Sequence, residues 1–242
     1  MFHPLRPGTV DIYFINIYEI NPQLRQTMLQ VLDREETERY QRLKLLETKM
    51  EFVVGRFLIK TFLSSLFGIK PQQIQFRQNE YGKLYLTPEF QTETDDIYFN
   101  ISHSHGVVAI AVTTGFEIGV DIEKVGQPIF DIVERFFSPT EQSYISNCHR
   151  DYQNTTAYQL WTLKEAFIKS QGKGLSVPLN SFDIFHVAKE VFFLTLQPIE
   201  GYYLSIAVQN GTDAYQSRLQ AVDHNLIGYI NKTGWDSSDH ID

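Results

Sequence analysis

The sequence repeats a pattern of elements, and this repeat constrains the fold more than any other feature. GRFLIKTFLSSLFGIKPQQIQF (55–76) aligns with KEAFIKSQGKGLSVPLNSFDIF (164–185), because each has an apolar helical stretch with Ile-Lys, then glycine, proline and a segment ending in Phe. VVAIAVTTG (107–115) aligns in the same way with YLSIAVQNG (203–211). We therefore predict an α+β protein of two similar α/β halves, forming a pseudo-twofold monomer with a ligand cleft between them.

The predicted halves are residues 1–115 and 116–225, and the polar segment 226–242 is predicted to be a flexible tail. Apolar periodicity predicts the helices, and runs of β-branched and aromatic residues predict the strands. The predicted helices are one that opens at Asn21-Pro22, 33–46, 49–68, one that begins with a capping box at 138–141, and 155–171. The predicted strands are 11–20, 74–78, 84–86, 97–101, 107–112, 117–123, 182–187, 191–196, 202–208 and 217–222.

Charge and cysteine content exclude several classes of protein. The 242 residues carry a net charge of −8, which argues against general nucleic-acid binding. Cys148 is the single cysteine, so an intrachain disulfide and a cysteine-based metal site are excluded. The sequence has no apolar stretch long enough to span a membrane, and it does not begin with the basic-then-apolar order of a signal peptide. We therefore expect a cytoplasmic protein without membrane attachment.

The segment GVDIEKV (119–125) carries two acids on a predicted strand. Residues two apart on a strand point to the same face, so Asp121 and Glu123 project together while Val120 and Ile122 enter the core. Adjacent like charges are unfavourable unless something neutralises them, and Mg²⁺ accepts carboxylate and phosphate oxygens. A solvated acidic edge of the sheet is the alternative.

A third acid lies on the helix WTLKEAFIKSQGKGL (161–175). Trp161, Glu165 and Lys169 share one stripe of this helix, which suggests that the stripe is not fully solvated. Glu165 would then supply a third carboxylate to the ion, and Lys169 and Lys173 would hold phosphate. The alternatives are a surface ion pair between Glu165 and Lys169 and a simple C-cap at Gly172.

Polar residues also interrupt two apolar strands in FNISHSHGVV (99–108). Ser102 and His103 at a strand end suit an oxygen-rich anion as hydrogen-bond donors. A Ser-His hydrolase is disfavoured because no G-x-S-x-G elbow surrounds these serines. A histidine metal site is also disfavoured, and a plain polar turn remains the alternative.

Basic residues elsewhere are assigned by default to solvated helix faces. Lys83 differs because it follows the turn NEYG and is placed to reach a cleft. No P-loop and no G-x-G-x-x-G motif occurs, which disfavours the common nucleotide-binding folds.

Taken together, these stretches resemble the signature of the 4′-phosphopantetheinyl transferases, of the larger, surfactin-synthetase-activating type. The family patterns G-x-D-[IV]-E and W-[ST]-x-K-E-[AS]-x-x-K-x-x-G-x-G-L read GVDIE and WTLKEAFIKSQGKGL here, without a mismatch. FNISHS (99–104) and Tyr81-Gly82-Lys83 match two further family motifs, although Leu84 stands where the family often has proline. The resemblance spans roughly residues 10–225 and implies the two-halved transferase fold.

The resemblance implies an enzyme that moves the phosphopantetheine arm of coenzyme A onto a serine of an apo acyl or peptidyl carrier protein. It further implies Mg²⁺ bound by Asp121, Glu123 and Glu165, with Glu165 also a candidate base. A non-catalytic relative that binds carrier proteins and an unrelated magnesium-dependent phosphoryl transferase acting on a nucleotide are the alternatives. The resemblance leaves the physiological carrier unidentified.

The resemblance also implies the residues that contact coenzyme A. Lys169 resembles the lysine at the pyrophosphate, Ser102 and His103 resemble residues at the phosphates, and Lys83 is placed near the adenine. The family often has Arg or His before the Gly-Arg of the first half, at the 3′-phosphate, whereas this chain has Met50 and Glu51. The candidates to replace that residue are Arg42, Lys44 and Lys49. We predict that the carrier protein docks on the segment after Ser138, together with Phe136 and Phe137.

Overall fold

The computed structural model describes residue 5 and residues 8–90, 96–210 and 222–225, so the predicted tail lies outside the described residues. Its strands are β1 (Val10–Asn16), β2 (Phe76–Gln78), β3 (Leu84–Leu86), β4 (Ile97–Ser104), β5 (Val107–Thr114), β6 (Ile118–Lys124), β7 (Val191–Leu196), β8 (Tyr202–Gln209) and β9 (Val222–Asn225). Its helices are α1 (Pro22–Leu29), α2 (Arg34–Arg42), α3 (Leu46–Phe67), α4 (Phe130–Phe136), α5 (Pro139–Asn147), α6 (Arg150–Gln171) and α7 (Ile184–Val187). None of these helices combines the length and the apolar character needed to cross a bilayer.

Two sheets stack face to face between two long helices. The first sheet has the strand order β4-β5-β1-β9 and the second β6-β8-β7, while β2 and β3 form a separate hairpin. One core lies between α3 and the first sheet, another between the two sheets, and a third between α6 and the second sheet. The order of layers is therefore helix, sheet, sheet, helix, which buries both faces of each sheet.

The sequence repeat corresponds to the longest helix and a central strand of each half. α3 and α6 each have 22 residues, and each ends at a left-handed glycine, Gly68 with φ 66° or Gly172 with φ 64°. β5 and β8 each have 8 residues and lie inside their sheets. The two-halved α+β fold is thus confirmed. β9 pairs in parallel with β1, so this strand of the second predicted half joins the sheet of the first.

Some predicted elements differ from the observed ones, and one lies almost entirely outside the described residues. The segment 182–187 was predicted as a strand, but Asp183 caps the short helix α7 by accepting hydrogen bonds from two backbone N–H groups. Its short apolar run fits either structure, so periodicity alone did not decide. The helix predicted over 33–46 ends at Arg42, and the chain re-enters helix at Leu46. The strand predicted at 217–222 lies outside the described residues except for Val222.

The two sheets meet where β4 and β6, each an edge strand of its own sheet, run side by side. Alternate polar side chains of β4 cross to β6, where each accepts a backbone N–H: Asn100, Ser102 and Ser104. These contacts cover an edge that would otherwise expose unpaired N–H groups.

Candidate active site

The acids of β6 face α6. Their neighbours along the strand belong to the core between the two sheets: Ile118, Val120 and Ile122. Because side chains alternate along a strand, Asp121 and Glu123 point to the opposite, helix-covered side. The predicted placement of these two side chains on one face is therefore observed.

α6 lies directly against β6 because Gly119 has no side chain. A Cβ at this position would overlap the carbonyl oxygen of Ala166 and the amide nitrogen of Ser170, both on α6. The contact places Glu165 and Lys169, which share one stripe of α6, beside the acids of β6. Gly119 thus sets the distance between the two elements that carry the site.

Asp121 forms an ion pair with Lys169 in a nearly enclosed position. Its carboxylate is 4% exposed, and Oδ1 lies 2.6 Å from the Lys169 Nζ. Ser102 Oγ donates to the same Oδ1 at 2.9 Å and accepts from the Lys169 Nζ at 2.9 Å. The three groups form a closed triangle that joins β4, β6 and α6.

Glu123 and Glu165 both lie close to Asp121, and both have raised pKa values. Burial is the main cause of the raised pKa of Glu165, and the charges of Asp121 and Glu123 raise it further. Burial also raises the pKa of Glu123, although a hydrogen bond from Ser104 Oγ at 2.7 Å lowers it. Three carboxylates in mutual electrostatic contact favour protonation or a bound cation.

The donor set fits a hard cation, although within the described ranges no three His, Cys, Asp or Glu side chains are already arranged to hold one. Lys169 neutralises Asp121 Oδ1 in this structure, which relieves part of the repulsion. Asp121 Oδ2 is buried and accepts no hydrogen bond from any described residue. A buried carboxylate oxygen without a donor is costly, and a cation would satisfy it.

His103 points to the other face of β4, towards α3. Its Nδ1 lies 3.2 Å from Glu51 Oε2, and the imidazole is half exposed while the glutamate is nearly buried. Glu51 also accepts the backbone N–H of Gly106 at 3.2 Å. The residue that departs from the family pattern is therefore the partner of His103, and Met50 is buried in the core beside it.

The remaining predicted phosphate ligands lie apart from the acids. Lys49 lies over the Tyr40 ring, 5.0 Å from its centroid, while Arg42 and Lys173 are exposed. In the described part of the chain, no hydrogen bond or ion pair joins any of these three to the acids. Their part in the site stays a prediction.

Lys83 is buried rather than open to a cleft. Its ammonium donates to the Glu117 carboxylate, to the Ile118 carbonyl at 3.1 Å and to the Ser170 carbonyl at 3.0 Å. These contacts use all three of its hydrogens. Lys83 therefore ties the turn before β3 to β6 and α6, and it has no free donor for coenzyme A in this structure.

The same turn packs against the glycines that follow α6. A Cβ at Gly172 would lie 2.7 Å from the Tyr85 hydroxyl, and one at Gly174 would lie 3.2 Å from the Tyr81 Cβ. Asn79 donates to the Gly172 carbonyl at 2.6 Å. The protein's own turn, residues 79–85, occupies this place.

We expect Lys83→Met to lower the free energy of unfolding by about 2 kcal/mol, because it leaves buried acceptors without a donor. Urea unfolding measures the loss, and Lys189→Met, which changes an exposed lysine, is the matched control. A Lys83→Met protein as stable as the control would contradict the structural role and return Lys83 to the predicted ligand site.

Sequence reasoning missed a buried ion pair behind the site. Lys164 Nζ contacts both oxygens of Glu141, at 2.9 and 2.7 Å, and neither side chain is exposed. Glu141 Oε1 also accepts the backbone N–H of Ile184, so the pair joins α6 to α5 and α7. The capping box at Ser138 was predicted and is confirmed, but nothing in the sequence indicated that its glutamate pairs with Lys164.

The nominated carrier-docking segment is partly buried. Phe137 is 2% exposed and stacks on Trp161, with ring centroids 6.3 Å apart. This stacking also explains the tryptophan of the predicted helix, which packs against α4 and the residue that follows it. Phe137 is therefore not available to a partner protein, which corrects the prediction that it belongs to the carrier-docking surface.

Comparisons with known proteins match both halves of the chain. A family model described as "4'-phosphopantetheinyl transferase superfamily" matches residues 117–220. A second, described as "4'-phosphopantetheinyl transferase, N-terminal", matches residues 20–115.

Individual relatives carry the same description. A 4'-phosphopantetheinyl transferase of Bacillus subtilis is 40% identical over 157 residues, which cover 65% of this chain and 67% of that protein. The 4'-phosphopantetheinyl transferase Sfp of Bacillus subtilis (strain 168) is 33% identical over 68% of this chain and 71% of its own length. A solved holo-(acyl-carrier-protein) synthase of Bacillus anthracis str. Ames, in complex with CoA (3',5'-ADP), is 25% identical with a TM-score of 0.35, over 43% of this chain and 93% of that one.

Proposed function

Because the chain belongs to the 4′-phosphopantetheinyl transferase superfamily, we propose that it transfers the 4′-phosphopantetheine group of coenzyme A to a serine of an apo acyl or peptidyl carrier protein. The other product is adenosine 3′,5′-bisphosphate. The observation that carries the proposal is the convergence of Asp121, Glu123, Glu165 and Lys169 at the contact between β6 and α6.

The reaction is a displacement at phosphorus. The serine oxygen forms a bond to the β-phosphorus of coenzyme A, and the bond from that phosphorus to the bridging oxygen breaks. The serine proton must be accepted, and the bisphosphate leaves with the bridging oxygen's added charge. A base and cationic groups beside the diphosphate are therefore required.

Glu165 is suited to accept the serine proton. Its pKa is raised above the ordinary value, chiefly by burial, which makes its carboxylate a stronger base. Its position on α6, at the edge of the acid cluster, leaves it half-buried rather than enclosed. Glu165 is therefore our proposed general base.

Lys169 is suited to hold the diphosphate. Two of its ammonium hydrogens bind Asp121 and Ser102, and its side chain is 29% exposed, which leaves the third hydrogen for a phosphate oxygen. Asp121 and Ser102 fix the direction of the ammonium. Lys169 therefore contributes a positioned charge rather than a mobile one.

Mg²⁺ would be held by Asp121, Glu123 and Glu165, and when bound it offsets negative charge on the diphosphate. Asp121 Oδ2, which is buried without a donor among the described residues, supports this assignment. His103 would contact a phosphate on the face of β4 that is turned towards Glu51 of α3, although the charge of Glu51 opposes a phosphate there. We retain Arg42, Lys49 and Lys173 as proposed outer phosphate contacts, and we do not include Lys83 among them.

Because one chain supplies both halves, we propose a monomer, and a cytoplasmic location stays a prediction.

We expect the protein, incubated with coenzyme A, Mg²⁺ and a panel of apo carrier proteins, to add one phosphopantetheine group to a single serine. Intact-mass spectrometry of each carrier measures the addition, and comparison of kcat/KM across the panel ranks the carriers. A carrier with its acceptor serine changed to alanine and a reaction with EDTA are the controls. Binding of carriers without any mass gain across the panel would instead indicate a non-catalytic relative.

A further inference from the structure

The joint between the two sheets consists of three alternate side chains of β4. Each accepts a backbone N–H of β6: Asn100 from Val120 at 3.0 Å, Ser102 from Ile122 at 3.3 Å and Ser104 from Lys124 at 3.5 Å. The spacing of two on both strands means that one face of β4 meets every second amide on the β6 edge. The motif FNIS and the two residues after it are thus a connection between the halves.

Two of these three side chains have a second contact, with an acid of the proposed site. Ser102 Oγ lies 2.9 Å from Asp121 Oδ1, and Ser104 Oγ lies 2.7 Å from Glu123 Oε2. A hydroxyl has one hydrogen, so each serine donates to its carboxylate and accepts from the amide. The orientation of each acid is thereby linked to the contact between the sheets.

Ser104 has the simpler surroundings of the two serines. Ser102 also binds Lys169, so its loss would change several groups at once. Ser104 Oγ contacts Glu123, the amide of Lys124 and the imidazole Nδ1 of His105, which lies at 3.0 Å. Its effect on the site therefore passes through one acid.

The turn after Ser104 fixes the position of His105, the next residue in the chain. His105 has a left-handed backbone with φ 46°, and Gly106 follows with φ 79°. Tyr202 on β8 donates its hydroxyl hydrogen to the His105 carbonyl at 2.9 Å. This contact ties the turn to the second sheet, so the imidazole that faces Ser104 is supported from both halves.

We propose that Ser104 is a positioning residue for Glu123: its hydroxyl sets the orientation of that carboxylate at the point where β4 and β6 join. The site is then completed only when the two sheets meet. This inference rests on the proposed function, but its principal measurement, the affinity for Mn²⁺, does not require turnover.

Asn100 provides a matched control, because it forms the same kind of contact with β6, and no hydrogen bond joins it to an acid among the described residues. Ser104→Ala and Asn100→Ala each remove one link of the joint, so both are expected to lower Tm by a few degrees. Only Ser104→Ala is expected to weaken Mn²⁺ binding in the presence of coenzyme A, by about tenfold, because the group that orients a ligand is lost. Electron paramagnetic resonance of free Mn²⁺ measures the dissociation constant.

A double-mutant cycle separates positioning from general damage. If Ser104 acts through Glu123, Ser104→Ala in a Glu123→Gln background is expected to change Mn²⁺ affinity less than twofold. Transfer kinetics supply a second readout, with the loss expected mainly in kcat.

Three results would overturn the inference: wild-type Mn²⁺ affinity in Ser104→Ala, an equal loss in Asn100→Ala, or a full tenfold loss in the Glu123→Gln background. Failure of the proposed function looks different, because the wild-type protein would then transfer nothing to any carrier. The Mn²⁺ comparison among variants still decides the role of Ser104 in that case.

Discussion

Glu165→Gln is expected to lower kcat/KM for transfer about 10³-fold, because it removes both the proposed base and one of three carboxylates at the cation. Glutamine has nearly the same shape, so the contact between α6 and β6 is expected to persist. Mass spectrometry of the carrier product measures the rate. The effect should shrink as pH falls through the raised pKa of Glu165, because the protonated wild-type side chain can no longer accept a proton.

The same variant is expected to be more stable than the wild type when no cation is present. Because the folded protein raises the pKa of Glu165, folding favours its protonated form. That contribution is complete below the ordinary Glu pKa of about 4.3 and is lost as pH rises through the folded-state value. Glutamine stays neutral, so in EDTA the Tm of Glu165→Gln is expected to equal that of the wild type in acid. As pH rises through that range, the variant's Tm should become higher than the wild-type Tm, and the difference should persist at neutral pH.

Asp151→Asn is the matched control, since Asp151 lies on the same helix but is exposed. It is expected to keep wild-type transfer and to show no gain in Tm at neutral pH. Wild-type turnover in Glu165→Gln would refute the assigned role of Glu165. An inactive Glu165→Gln protein with a lowered Tm would show instead that Glu165 supports the fold.

Residues on regular elements were the predictable part of the site. Asp121 and Glu123 are two apart on a strand, and Glu165 and Lys169 are four apart on a helix, so the periods of those elements fix their faces. These periods do not indicate which strand and which helix contact each other. We inferred that contact from the tryptophan on the α6 stripe and from the resemblance to a family, and in the structure Lys169 on α6 pairs with Asp121 on β6.

Residues whose roles depend on distant packing were not predictable. Lys83 follows a turn, and a lysine there is usually solvated, yet it binds the carbonyl of Ser170, 87 residues further along the chain. Glu51 was taken as a departure from the family pattern, whereas its partner is His103 on β4. In each case the local sequence shows that one residue of the contact is polar. The identity of its partner depends on how the halves pack together.

The alternation in FNISHS carried a signal that could have been used. Asn100, Ser102 and Ser104 recur at the period of a strand, and polar residues at that period predict one polar face. We assigned Ser102 to an anion because its partner on β6 was unknown. A polar stripe on the edge strand of a buried sheet also indicates a neighbouring edge that needs hydrogen bonds.

Gly119→Ala is expected to lower the free energy of unfolding by about 3 kcal/mol or more, and to abolish most transfer. The added Cβ would overlap backbone atoms of Ala166 and Ser170, which cannot move unless α6 moves. Displacement of α6 would carry Glu165 and Lys169 away from Asp121. Urea unfolding and kcat/KM measure the two losses.

Gly126→Ala is the matched control for this change, because a Cβ at Gly126 would meet only the Tyr158 hydroxyl at an ordinary distance of 3.5 Å. It is expected to remain within about 0.5 kcal/mol of the wild type. If Gly119→Ala were equally stable, α6 would have room above β6, and the acids of the strand and the helix would be too far apart to share one cation. The proposed chemistry therefore depends on a glycine that takes no part in the reaction.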